Sequence, residues 1–119
     1  MTVTYHHPEL AAGRWQTFSL LFQLANVGSE VGRALRAKNE GMSYKENLAF
    51  DRALELLHLT IADPKHRERL RELCRAREVL CDFFVGENEY QSTPEAIDEY
   101  FLEYGIAAQM ERRKRPVLS

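Results

Sequence analysis

The sequence predicts an all-α protein, a single-domain antiparallel four-helix bundle. Three observations carry that prediction. Apolar residues recur at three- and four-residue spacings along four separate stretches, the periodicity of a helix with one buried face. Those stretches carry helix punctuation: Ser, Thr or Asp before a start, Pro at a first position, Gly after an end. No stretch alternates apolar and polar residues as a half-buried strand would. The 119 residues suit one domain. The expected division is an irregular arm over 1–13, helices over about 14–39, 44–62, 64–85 and 94–112, and a basic tail over 113–119.

The first helix has a wide apolar arc of Phe18, Leu21, Phe22, Leu24, Val31 and Leu35, with Gln16, Ser19, Gln23, Asn26, Glu30 and Arg33 opposite. So wide an arc implies contact with more than one neighbour. Gly28 and Gly32 fall near its middle. A glycine inside a helix costs about 1 kcal/mol relative to alanine, so a pair of them implies close approach by another helix. Gly41 is the expected stop.

Ser43-Tyr44-Lys45-Glu46 reads as a capping box opening the second helix. Its inner face is Phe50, Leu54, Leu57 and Ile61, widened by Ala49, Ala53 and Leu56. Asp63-Pro64 ends it and starts the third helix, with Asp63 as N-cap and Pro64 at the first helical position. So short a link implies an antiparallel hairpin. Leu70, Leu73, Leu80 and Phe84 face inward on the third helix, and Gly86 closes it. Thr93-Pro94-Glu95 repeats the start signal for a fourth helix with Ile97, Tyr100, Phe101, Tyr104 and Ala108 on one face.

Composition narrows function by exclusion. Apolar content is 45% and charged content 29%, so the chain carries enough core-forming residues to fold. The net charge of −2 lacks the overall basic excess of a duplex-gripping domain. The start has no secretory-signal pattern and no apolar run approaches the ~20 residues of a membrane span, so a cytoplasmic, non-membrane protein is expected. Cys74 and Cys81 sit seven residues apart on one helix. That separation is ~10 Å, too far for a disulfide, so both are expected reduced.

Several residues stand out as candidates. Arg77 falls in the middle of the third helix's apolar face, which requires a buried partner such as Glu30, Asp51 or Glu55. Leu102, Ile106 and Met110 form an apolar stripe away from the fourth helix's core face, and Leu48 and Leu59 lie among polar residues of the second. Apolar residues left over on a small domain mark a candidate interface, most simply that of a two-fold homodimer. Arg67, Arg71 and Arg75, with Arg112, Arg113, Lys114 and Arg115 of the tail, form a candidate nucleic-acid contact.

Enzymatic readings centre on His58. Asp51, Glu55 and His58 cluster on the wheel and could hold one metal, although a di-iron bundle needs two Glu-x-x-His pairs and the chain has one. The Arg52 and His58 spacing resembles the motif of HEPN-type ribonucleases, which are small helical bundles. That resemblance implies His58 as acid or base and Arg52 on the phosphate. Here Ala53 follows the arginine where that family usually has a polar residue, and a regular helix sets Arg52 and His58 on different faces. No nucleophile elbow or phosphate-cradling glycine loop is present. No cofactor or metal is expected.

The segments Leu24-Ala25-Asn26-Val27-Gly28-Ser29-Glu30-Val31, Ala49 to Leu57, Leu59 to Pro64, Arg75 to Asp82 and Asn88-Glu89-Tyr90 resemble a family of small bacterial helical proteins described only as hypothetical. The likeness spans about Arg14 to Phe101 and implies a bacterial origin without pointing to any particular activity. In architecture alone the chain is similar to the four-helix-bundle intervening-sequence proteins of ribosomal RNA genes and to retroelement accessory proteins. Some of those form rings and bind nucleic acid through basic surfaces, which the acidic balance here does not match. The leading expectation is a non-enzymatic helical assembly module, the alternatives being a nucleic-acid-binding accessory protein and a ribonuclease or metal-dependent enzyme built on His58.

Overall fold

The computed structural model describes residues 8–114, with the side chains of 105, 107–109 and 111–114 left aside. All regular structure among the described residues is helical. The elements are α1 (Pro8–Ala11), a 3-10 turn over Arg14–Thr17, α2 (Leu20–Asn39), α3 (Ser43–Ile61), a 3-10 segment over Pro64–Arg69, α4 (Leu70–Phe84) and α5 (Pro94–Lys114).

α2 is the hub. It packs along α3 on one side and α5 on the other, while α4 lies against α3. The order of contacts makes each neighbour antiparallel. Lys38 at the end of α2 meets Glu46 at the start of α3. Phe84 at the end of α4 stacks on Phe50 near the start of α3, with ring centroids 5.0 Å apart. Gly28 of α2 faces Phe101 of α5, and Gly32 faces Asp98 one turn on. The core joins Leu24, Val27, Val31 and Ala34 to Ala53, Leu56 and Leu57, and reaches Leu73 and Leu80 of α4 and Ile97 and Phe101 of α5.

The glycines of α2 differ in what they permit. A Cβ on Gly28 would lie 2.6 Å from the Phe101 Cβ, so the close helix approach expected there is present. At Gly32 the nearest groups are Arg36 Nη1 at 3.5 Å and Asp98 Oδ1 at 3.9 Å, which leaves room for a methyl group. Gly41 follows the end of α2 with φ +71°, the left-handed position that favours glycine.

Several boundaries depart from expectation for local reasons. The first long helix begins at Leu20 rather than near Arg14, because Phe18 is extended and Ser19 caps the helix by accepting the Phe22 N–H. Residues 8–11 of the expected irregular arm are helical, and residues 1–7 lie outside the described chain. The capping box does not form: Ser43 is already helical, Met42 is the N-cap, and Glu46 turns to Lys38. Asp63 does cap, accepting the Lys65 N–H, but Pro64–Arg69 is 3-10 and the α-helix starts only at Leu70. Thr93 caps α5 by accepting the Ala96 N–H at 3.1 Å. The expected tail over 113–119 is helical through Lys114, and residues 115–119 lie outside the described chain.

Candidate functional site

Beneath the N-terminal end of α2 lies a buried polar cluster. Gln23, on the strip read as polar, is fully buried. Its amide nitrogen donates to the Trp15 carbonyl at 2.8 Å and to Asp63 Oδ2 at 3.1 Å, while its Oε1 accepts from His66 Nε2 at 2.7 Å. The Trp15 indole donates to Thr60 Oγ1 at 2.9 Å, and that hydroxyl donates to the Leu56 carbonyl. Lys65 bridges Asp63 and the Gln16 carbonyl. Burial pushes the Asp63 carboxyl up, but hydrogen bonds from Lys65 and Gln23 outweigh it and hold the group below its ordinary value. Burial holds His66 below its ordinary value despite Asp63 beside it. Each buried polar group here has a partner. The cluster ties the 3-10 turn, α2, α3 and the 3-10 segment together.

Of the three carboxylates offered as partners for Arg77 (Glu30, Asp51 and Glu55), Glu30 is engaged elsewhere. Glu30 accepts from Arg33 on its own helix at 2.9 Å, and its other oxygen is buried without a hydrogen-bond partner among the described residues. Arg77 is half-buried, at the edge of the core rather than in its middle. It lies beside His58 and Cys81. Partial desolvation and then Arg77 hold His58 below its ordinary value, although the residue is exposed to solvent.

The two residues of the ribonuclease-like spacing are not brought together. Arg52 lines a cleft between α2 and α3, whereas the exposed His58 stands next to Arg77 of α4. No group of three His, Cys, Asp or Glu residues able to hold a metal occurs among the described residues. Cys74 and Cys81 are both free thiols.

The candidate interface residues divide into two sets. Leu102, Ile106 and Met110 are 57%, 53% and 51% exposed, large fractions for apolar side chains on one stripe. Leu59 is half-buried and packs against the core, and Leu48 is half-buried on the wall of the α2–α3 cleft. On the opposite side of α5, an apolar cleft of about 370 Å³ opens towards α4, walled by Ala76, Val79, Leu80, Ile97 and Phe101 with Arg75 at its edge.

No protein-family model matches this chain. Neither a curated protein nor a solved structure was found to match it. Function is therefore read from the chain's own surfaces.

Arg67, Arg71 and Arg75 are all exposed, but the junction between the 3-10 segment and α4 falls between the first two and breaks their helical register. Arg75 is also drawn over the Tyr90 ring, 5.1 Å from its centroid. The side chains of Arg112, Arg113 and Lys114, and Arg115 entirely, lie outside the described residues. No helix among the described residues is long and apolar enough to cross a membrane.

A second basic surface escaped the sequence reading. Arg33 and Arg36 of α2 and Lys45 and Arg52 of α3 line one cleft of about 390 Å³. Their spacings, i to i+3 and i to i+7, put each pair on one helix face. Only the hairpin register brings the two faces together.

Proposed function

We propose that this chain is a non-enzymatic helical assembly module, an antiparallel four-helix bundle that pairs with a second copy of itself through α5. The observation that carries this reading is the exposed Leu102, Ile106 and Met110 stripe, which lies opposite the face of α5 that packs on α2. Residues at i, i+4 and i+8 form a ridge, and such ridges interdigitate when two helices pack. A two-fold axis near Ile106 would set Leu102 of each copy by Met110 of the other, since an isologous contact matches one patch to itself.

Charge favours the antiparallel arrangement. The first half of α5 is acidic at Glu95, Asp98, Glu99 and Glu103, while Arg112, Arg113 and Lys114 follow Glu111 at its end. Antiparallel pairing brings opposite signs together, and parallel pairing would stack like charges. A reduced, cytoplasmic setting agrees with the two free thiols.

Light scattering on the purified chain is expected to give twice the 13.8 kDa monomer mass. Ile106→Glu should return it to the monomer without loss of helical circular dichroism. A wild-type monomer at high micromolar concentration overturns the proposal. The exposure of Arg67, Arg71 and Arg75 favours a second reading, a nucleic-acid accessory protein. That reading requires salt-sensitive retention on heparin, weakened by Arg71→Gln.

A further inference from the structure

The α2–α3 cleft gathers positive charge in a chain that is acidic overall. Arg33, Arg36, Lys45 and Arg52 line it, and Glu40 is the carboxylate among its lining residues. Arg33 is engaged by Glu30. Arg36 runs past Gly32 towards Asp98 of α5. Among the described residues no carboxylate comes within ion-pair distance of Arg36, Lys45 or Arg52. Arg52 is half-buried, so its charge is partly removed from water with no carboxylate among the described residues to pair with it. Of the acids near the cleft, Glu46 faces Lys38 of α2.

Like charges held on one cleft repel, and a bound anion relieves that repulsion. The cleft also has an apolar lining. Ala37, Leu48 and Ala49 supply it, the last 4% exposed. The volume of about 390 Å³ lies in the range of small-ligand sites and exceeds what an inorganic ion needs. A phosphate monoester carries a charge between −1.5 and −2 at neutral pH, roughly, with three acceptor oxygens.

We infer that this cleft binds a small organic phosphate monoester, its phosphate held by Lys45 and Arg52 with Arg36 at the rim, and its organic part against Leu48, Ala37 and Ala49. Guanidinium donors meet two phosphate oxygens at once, which gives Arg52 the larger share. The site lies on the α2–α3 hairpin, away from the α5 stripe, so Ile106→Glu should leave it intact.

The test is calorimetric titration of the full-length chain at low salt with phenyl phosphate, adenosine monophosphate and, separately, a short single-stranded RNA. The first two should bind saturably. Arg52→Gln and Lys45→Gln should each weaken them by about tenfold or more. Arg71→Gln on α4 should leave the affinity unchanged, and each variant's urea midpoint checks that it still folds. Lys45 is exposed, so its variant keeps the test valid if Arg52→Gln fails to fold. Absence of binding by either monoester overturns the inference. So does equal weakening by Arg71→Gln, which would mean non-specific attraction. Binding of RNA with none of the monoesters also overturns it and moves the cleft to nucleic-acid contact.

Discussion

Gly28 and Gly32 look alike in the sequence and behave differently in the fold. An alanine at position 28 would meet the Phe101 Cβ at 2.6 Å, and that atom cannot swing away without moving α5. Gly28→Ala should therefore cost about 1–3 kcal/mol, overpacking outweighing the better helix propensity. Gly32→Ala has room and should stabilise by about 0.5–1 kcal/mol. Paired urea titrations check both signs. His66 gives a prediction in pH. Its folded pKa lies below the unfolded value of 6.5, so the unfolded chain takes up the proton first. Stability from this group is complete above pH 6.5 and declines as pH falls below it towards the folded value. His58 has the same sign. Each group's slope is at most about 1.4 kcal/mol per pH unit. Asp63, held low, adds a second loss only when pH falls below its ordinary 3.8. His66→Gln should flatten the urea-midpoint profile between mildly acidic and neutral pH, leaving the slope that His58 contributes. An unchanged profile would mean that His66 is not buried in its neutral form.

At the scale of the element, helix starts separate residues that resemble caps from residues that cap. Ser19 and Thr93 accept end N–H groups of α2 and α5, whereas Ser43 lies inside α3 with no capping bond. Ser19→Ala and Thr93→Ala should each cost about 1 kcal/mol, and Ser43→Ala should be near neutral. Equilibrium unfolding in urea distinguishes the three. The 3-10 segment before α4 is held by Asp63, Lys65 and His66, which anchor it to Gln23 and the Gln16 carbonyl. Its cost is the register of Arg67 against Arg71, which no longer follow one helical face.

For the whole molecule, α2 separates two kinds of surface. Towards α3 its C-terminal half helps form the basic cleft, and towards α5 it carries the helix whose outer ridge stays apolar. If that ridge pairs two copies, folding and association are linked, and the thermal midpoint should rise with protein concentration. The Ile106→Glu chain should lose that dependence. The two surfaces lie on different helices, so the proposed phosphate binding and the proposed self-association should each be removable without the other.

The local signals were largely legible. Periodicity placed the four long helices, Asp63 and Thr93 marked real starts, Gly41 marked a real end, and the i, i+4, i+8 spacing exposed the Leu102 stripe. Such signals depend on residues within a turn or two of one another, where backbone sterics and end hydrogen bonds act. Longer-range pairings were not legible. Nothing local marks Gln23 as the buried centre of a network reaching residues 15, 63 and 66. A wheel gives a residue's angle but not its neighbour. The helix register chosen by packing decides whether that angle meets water, a partner or another charge. The sequence by itself determined a helical chain, some of its helix ends and its spare apolar ridge. The tertiary structure alone decided which polar groups are buried together and which four cations share a cleft, because those depend on how α2, α3 and α5 slide into contact.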